Sequence, residues 1–326
     1  MRDLSIVIVN WNTRDLLRDC LTSVFGSVEG FALEVFVVDN NSSDGSPEMV
    51  TTEFPQVRLI VNSENLGFAA ANNQALPLCS GENVLLLNPD TRVREGAFGA
   101  LLEFLASHAD VGAVGPKVVH PRARLRMLSC GYQPTLRTVF NHFLFLSSLF
   151  PGWSAFRGIN LVMGVHDDIP REVGWLSGVC LLVRKSVIDQ VGPLSENWFM
   201  YAEDMEWCDR MTRAGWKLYH VPTATVEHVF GASSARNESV STMWVDSFRS
   251  YFVSRTRPSR VKLFLFDVIV MLGMATRAVA YACRGLIAVK DRNIWQTEAR
   301  KFAMYSFATA RLVCSRSQVT MDREGR

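Results

Sequence analysis

Each of the first four apolar runs of this chain is short and strand-like, and each ends in asparagine or aspartate. They are LSIVIVN (4–10), LEVFVVDNNSSDGS (33–46, strand then polar loop), VRLIVN (57–62) and ENVLLLNPD (82–90). Helix-like stretches separate them. Residues 13–28 place Leu16, Leu17, Cys20, Leu21, Val24 and Phe25 at i, i+3, i+4 spacing. Residues 47–53 open on a proline suited to a first helical turn, and 64–76 form a glycine-containing loop feeding an Ala-rich helix. This alternation specifies βαβ units, hence an α/β fold with a mostly parallel sheet flanked by helices. Ligands of open parallel sheets bind beyond the carboxyl ends of the strands. Asn10 and Asn12, Asp39, Asn40 and Asn41, Asn62 and Asn65, then Asn88 and Asp90 line that edge. Singly, each reads better as a turn residue bonding nearby backbone. Four successive strands ending this way point to a site.

The pattern continues with a helix at 95–107 and a short strand near 111–119. Residues 120–172 read as irregular, and 138–153 within them are too apolar and aromatic for an ordinary solvated loop. Regular structure returns at 172–185, with helices at 186–191 and 203–214 and a strand at 217–229. Near the C-terminus, Arg255, Arg257, Arg260 and Lys262 precede the apolar stretch 263–289. No run of about 18 uncharged residues occurs there, which disfavours a simple spanning helix. On a helical wheel Arg260, Asp267, Arg277 and Arg284 share roughly a third of the circumference. The broad apolar face left over suits a helix lying in a membrane interface, a core helix, or a contact with a second copy of the chain.

A formal charge of +2 with no dense basic cluster argues against nucleic acid as a partner. Seven scattered cysteines without a C-x-x-C pair suggest neither a zinc site nor a disulfide framework, and fit a reducing compartment. The N-terminus enters a strand pattern with no secretory signal ahead of it, so a cytoplasmic location is expected. Neither G-x-G-x-x-G after the first strand nor a Walker-type loop is present, so a bound phosphate needs another counter-charge. Asp90 supplies one indirectly if it holds a hard divalent cation that bridges to diphosphate oxygens. Asn88-Pro89-Asp90 reads equally as a turn, since proline cannot continue a ladder. A second acidic cluster, Glu203, Asp204, Glu206 and Asp209, stands among Trp198, Phe199, Tyr201 and Trp207. Its acids suit a helix N-terminus. A carboxylate in aromatic surroundings is also desolvated, which raises its pKa toward that of a general base. His228, at the end of the following strand, is either structural or a further metal ligand.

Seven segments together resemble the family 2 glycosyltransferases of the GT-A fold, in their rhamnosyltransferase-like branch. They are IVIVNWN (6–12), VVDNNSSDGS (37–46), NSENLGFAAANNQAL (62–76), LLLNPDT (85–91), GWLSGVCLLVRK (174–185), FMYAEDMEWCDR (199–210) and VEHVFGASS (226–234). The resemblance implies metal-dependent, inverting transfer of a sugar from a nucleotide-diphosphate sugar. It implies a nucleotide site at Val9, Asn12, Asp39, Asn65 and Asn88, with Asp90 and His228 holding Mg²⁺ or Mn²⁺. Asp204 becomes the catalytic base with Glu203 as the alternative, and Trp175, Gly178, Trp198 and Tyr201 shape the sugar and acceptor pocket. Asn88 stands where the family's D-x-D motif has its first acid, which lowers the charge at the metal.

The resemblance favours dTDP-rhamnose as donor, with a hexose from a UDP-sugar as the rival. It favours a polyprenyl-diphosphate-linked saccharide of cell-envelope synthesis as acceptor, and a place on the cytoplasmic face of the membrane. The expected organisation is a transferase domain over 1–250, interrupted by the irregular apolar insertion 120–172, and a helical, basic, amphipathic extension over 251–326. Two other readings compete: a nucleotidyltransferase, which would want a Gly- and Lys/Arg-rich loop absent from VNWNTRD, and a non-catalytic saccharide-binding protein, suggested only by Asn88.

Overall fold

The computed structural model describes residues 2–27, 30–120, 129–161, 169–229, 242–287 and 292–324. Residues 230–234 of the last expected motif lie outside that set, as do 121–128 and 162–168 of the segment 120–172. In chain order the elements are β1 (Arg2–Asn10), α1 (Arg14–Gly26), β2 (Leu33–Asp39), α2 (Ser46–Glu53), β3 (Arg58–Val61), α3 (Phe68–Ala75), β4 (Gly81–Leu87), β5 (Thr91–Val93), α4 (Ala97–Ser107), β6 (Val111–Val119) and β7 (Cys130–Gly131). Two short helices follow, α5 (Leu136–Phe143) and α6 (Leu146–Leu149). Then come β8 (Arg171–Val173), β9 (Trp175–Leu176), β10 (Cys180–Arg184), α7 (Lys185–Val191), α8 (Glu203–Arg213) and β11 (Lys217–His228). The last three helices are α9 (Met243–Thr256), α10 (Arg260–Ile287) and α11 (Arg292–Glu324).

These elements form two compact units, one of Met1–Gln133 with Met163–Arg236, the other of Pro134–Val162 with Asn237–Arg326. The first holds a nine-stranded sheet in the order β3-β2-β1-β4-β10-β6-β11-β5, with β8 on β11, and a two-stranded β7-β9 ribbon. β1 lies between β2 and β4, parallel to both. Leu4, Ile6, Val7 and Ile8 are at most 1% exposed. A central strand covered on both faces reads as a continuous apolar run rather than an alternation, as LSIVIVN does. On α1, the expected stripe of Leu17, Cys20, Leu21 and Val24 is buried. The sheet is mixed because β10 enters antiparallel between β4 and β6. β5, three residues too short to show a period, pairs with the end of β11 and sets His228 opposite Thr91.

The second unit corrects the expectation that 120–172 is irregular throughout. A capping box at Thr135 and Thr138 starts α5 there. Its TVFNHF core is poor in strong helix formers, so propensity alone hides it. α10 and α11 run antiparallel, with Tyr281 stacked 5.6 Å from Trp295 and Ser306 Oγ donating to the Met271 carbonyl at 3.1 Å. Arg249 of α9 grips Asp267 of α10 at 2.7 and 3.1 Å, and Asp267 is 1% exposed. Arg277 donates to the carbonyls of His142 (2.9 Å) and Phe143 (3.1 Å) and lies over the Phe143 and Phe145 rings. Arg284 sits 4.2 Å over Trp295. Of the charges that the wheel gathers, Asp267 and Arg277 thus face protein, whereas Arg260 and Arg284 stay exposed. The opposite side exposes Val261, Phe264, Leu265, Leu272, Val279, Leu286 and Ile287. By length and composition α10 could also cross a membrane.

Candidate active site

The chemistry-bearing residues of the sheet unit collect at the carboxyl ends of β1, β2 and β4. Asp39 ends β2 and is 1% exposed. Its Oδ1 accepts from Asn10 Nδ2 at 2.8 Å and its Oδ2 from the Ser42 N–H at 2.8 Å. Asn12 sits in the left-handed region (φ 54°), where its N–H donates to Ser42 Oγ and its Oδ1 accepts from the Ser43 N–H, each at 2.8 Å. Val9 is half-buried beside them. The asparagines also bond one another: Asn62 Nδ2 donates to Asn40 Oδ1 at 2.9 Å, and Asn40 Nδ2 to the Gly67 carbonyl at 3.1 Å. Asn65 Oδ1 closes its own turn on the Gly67 N–H at 3.0 Å. The strand ends are thus turn-formers and edge-liners at once.

Gly67 links this loop to the second acidic cluster. At φ +83° it carries the chain past Phe199, and a Cβ there would lie 2.5 Å from the Phe199 carbonyl oxygen. The next residue, Phe68, donates its N–H to that carbonyl at 3.1 Å. From Phe199 the chain passes through Tyr201 (φ 68°) and Ala202 (φ 121°) into α8, which begins at Glu203. Four of the six non-glycine residues at positive φ among those described, Asn12, Asn41, Tyr201 and Ala202, flank this edge. Such strain persists where surrounding structure holds it, commonly at functional sites.

Asp204 follows. Its Oδ2 accepts from the Gly178 N–H at 3.1 Å and its Oδ1 from the Met205 N–H at 2.8 Å. The residue keeps partial exposure, but protein encloses its carboxyl group. Burial raises that carboxyl above the ordinary aspartate value, and the two N–H donors act the other way. Glu203 is 5% exposed, and its Oε2 has no hydrogen-bond partner. Burial first, then the charge of Asp204, pushes it up to about 8.

The residue after Gly178 completes the assembly. The Val179 carbonyl accepts the Asn88 N–H at 2.9 Å, so one peptide segment holds Asp204 on one residue and Asn88 on the next. Thr91 Oγ1 donates to the Asn88 carbonyl at 2.7 Å, closing the Asn-Pro-Asp turn. The Val229 N–H donates to the Asp90 carbonyl at 2.9 Å, and β5 pairs with β11 just beyond. That pairing brings His228 Nε2 to 3.0 Å from Asp90 Oδ1 and 3.5 Å from Asn88 Nδ2, with Asp90 and His228 both buried. Asn88-Pro89-Asp90 forms a turn, and that turn sets Asp90 beside His228. Asp90 and His228 form a close carboxylate–imidazole pair; no group of three or more His, Cys, Asp or Glu clusters among the described residues.

Of the expected pocket residues, Gly178 touches the site directly, and a Cβ on it would meet the Phe68 ring at 2.9 Å. Tyr201 is 36% exposed. Trp175 and Trp198 are buried, at 6% and 7% exposure, so their rings are not open platforms. The exposed aromatics here are Trp11 after β1, together with Phe199 and Tyr201 before α8. Sequence reasoning passed over the joints at Gly67 and Phe199; a lone glycine between Leu66 and Phe68, entering a helix, is the only local trace of them.

The mixed, mostly parallel sheet flanked by helices is a GT-A glycosyltransferase fold. The mannosyltransferase PcManGT of Pyrobaculum calidifontis, solved with GDP-Man and Mn²⁺, superposes with a TM-score of 0.56 at 17% identity, covering 96% of this chain and 89% of that one. Residues 5–153 match the sequence profile of glycosyl transferase family 2. The N-acetylglucosaminyl-diphospho-decaprenol L-rhamnosyltransferase of Mycobacterium tuberculosis is 33% identical over 251 residues, 72% of this chain and 78% of that one. The low-salt glycan biosynthesis hexosyltransferase Agl10 of Haloferax volcanii is 25% identical over 258 residues, 77% and 75% of the two chains. The protein belongs to glycosyltransferase family 2, in its rhamnosyltransferase-like branch.

Proposed function

We propose that the protein transfers L-rhamnose from dTDP-rhamnose to a saccharide carried on polyprenyl diphosphate, with inversion, during cell-envelope polysaccharide assembly. The observation that carries this reading is the shared tether: Gly178 and Val179 hold the Asp204 carboxylate and the Asn88-to-Asp90 turn from adjacent residues. An inverting transfer needs a base on one side of the anomeric carbon and charge stabilisation at the leaving diphosphate on the other. The choice of sugar and acceptor rests on the rhamnosyltransferase relative.

Asp39, held by Asn10 and Ser42, takes the nucleotide base, with Val9 and Asn12 beside it. Asn65 and Asn88 border the diphosphate. Asp204 accepts the proton of an acceptor hydroxyl as that oxygen attacks; its two N–H donors fix the carboxylate while leaving lone pairs free. Trp175, Gly178, Trp198 and Tyr201 bound the sugar and acceptor, the two tryptophans as packed walls. Asp90 and His228 fit Mg²⁺ or Mn²⁺: a buried hard carboxylate and an imidazole are suitable donors, and such ions take one or two protein carboxylates with substrate phosphates completing the shell. When bound, the cation would neutralise charge growing on the diphosphate. With Asn88 in place of an acid, the protein brings one fewer negative charge to that ion.

Catalysis is assigned to the sheet unit and membrane contact to the helical one, which would place the enzyme on the cytoplasmic face of the membrane. Support comes from the outward apolar side of α10, from exposed Leu149 and Trp153 in the same unit, and from exposed Arg257, Arg260 and Lys262, suited to anionic headgroups.

A thermal-shift titration with and without Mn²⁺ tests the donor. A ligand at about 100 times its dissociation constant stabilises by roughly 2.7 kcal/mol. A Mn²⁺-dependent shift with dTDP and dTDP-rhamnose, and none with the UDP series, is expected. The reverse preference would move the donor to a UDP-hexose, and no shift with any nucleotide would overturn the reading.

A further inference from the structure

Glu203 is the first residue of α8, and its side chain folds back on the turn that precedes the helix. The backbone N–H groups of Tyr201 and of Glu203 itself lie toward its carboxyl and oppose the rise that burial causes. Those donors belong to the strained pair of the site: Tyr201 at φ 68°, then Ala202 at φ 121°, a conformation alanine rarely adopts. Residues held this way cost on the order of 1–3 kcal/mol each and persist only where neighbouring groups hold them. Phe199 fixes one end of the turn through its carbonyl contact with the Phe68 N–H; at the other end stands Asp204, on the Gly178 N–H. Glu203 lies between these anchors, 5% exposed, its second oxygen enclosed without a donor.

We propose that Glu203 is a positioning residue: its carboxyl closes the left-handed turn at Tyr201 and Ala202 and thereby aims Asp204, and it takes no proton from the acceptor. The inference rests on Asp204 as base and assigns its acidic neighbour a different task. A neutral group at 203 serves it better than a charged one, because a second negative charge beside Asp204 would disturb the carboxylate that has to stay ionised. Environments that push two adjacent carboxyls apart commonly separate such roles.

Glu203→Gln and Glu203→Ala separate the possibilities, assayed with dTDP-rhamnose, Mn²⁺ and polyprenyl-diphospho-N-acetylglucosamine. The glutamine variant keeps the carbonyl that accepts the turn N–H groups, so kcat should fall by no more than about fivefold. Any change that the wild-type rate shows as pH passes about 8 should vanish in this variant. The alanine variant should lose about 30- to 100-fold in kcat with donor KM within about threefold. Native-state hydrogen exchange of a peptide covering 199–205 reads the turn without any substrate: protection should survive in Glu203→Gln and drop in Glu203→Ala. A kcat loss in Glu203→Gln as large as that in Asp204→Asn would make Glu203 the proton acceptor and overturn the proposal. So would unchanged protection in Glu203→Ala. Full turnover in Asp204→Asn would instead remove the base assignment, and the exchange experiment would still decide whether Glu203 holds the turn.

Discussion

Asp204 holds two backbone donors, whereas Glu203 one residue earlier keeps one carboxyl oxygen without a partner; on this difference the proposed division of labour depends. Asp204→Asn is expected to lower kcat by about 10²- to 10⁴-fold while nucleotide binding by thermal shift stays as in wild type. Because burial raises the Asp204 carboxyl, the acid limb of the wild-type rate should lie above the ordinary aspartate range, activity being lost as pH falls through that raised value. Asp90→Asn, read by titrating Mn²⁺ against rate, should raise the metal concentration for half-maximal activity at least about tenfold, since the carboxylate proposed to hold the ion loses its charge. The sequence displayed Asp39, Asp90, Asp204 and His228 because each breaks an apolar run where a strand ends or a helix begins. The buried state of Trp175 and Trp198 was not legible: an aromatic residue beside a site reads the same whether its ring faces ligand or core.

Among the elements, the parallel strands β1 to β4 and helices α1 to α4 were readable because each carries its own period within a few residues. The antiparallel entry of β10 and the three-residue β5 were not, since their partners lie about a hundred residues away in sequence, yet β5 is what carries His228 to Asp90. α10 shows the same limit from the other side. The wheel gathers the charges of α10 but does not show that Asp267 and Arg277 among them turn into protein, because Arg249 and the α5 carbonyls that receive them belong to other helices. The joint at Gly67 is testable at this scale. Gly67→Ala places a Cβ against the Phe199 carbonyl at a positive φ, so it should lower stability by about 1–3 kcal/mol. It should also reduce kcat more than tenfold, because the displaced segment leads into Asp204; urea melts and steady-state rates check the two effects.

For the whole molecule, pH and the lipid surface are the available probes. Glu203 has a folded pKa raised to about 8, so the native state holds a proton that the unfolded chain has lost. Stability should therefore fall as pH rises from about 6.5 to above 8, and Glu203→Gln should flatten that slope. His142 and His220, pushed down by burial to about 3 and about 4, act in the opposite sense and reduce stability as pH drops below about 6.5. The full chain should sediment with anionic vesicles, and Leu272→Glu with Val279→Glu should weaken that binding at least about tenfold. Sedimentation as a dimer that the same pair dissolves would assign the stripe to a second copy. The most direct test of the central claim is mass spectrometry of the lipid product after incubation with dTDP-rhamnose, Mn²⁺ and polyprenyl-diphospho-N-acetylglucosamine, wild type beside Asp204→Asn. The account predicts a rhamnosylated lipid from the wild type and almost none from the variant. Equal product from both, or none from a wild-type protein that binds the donor, would contradict it.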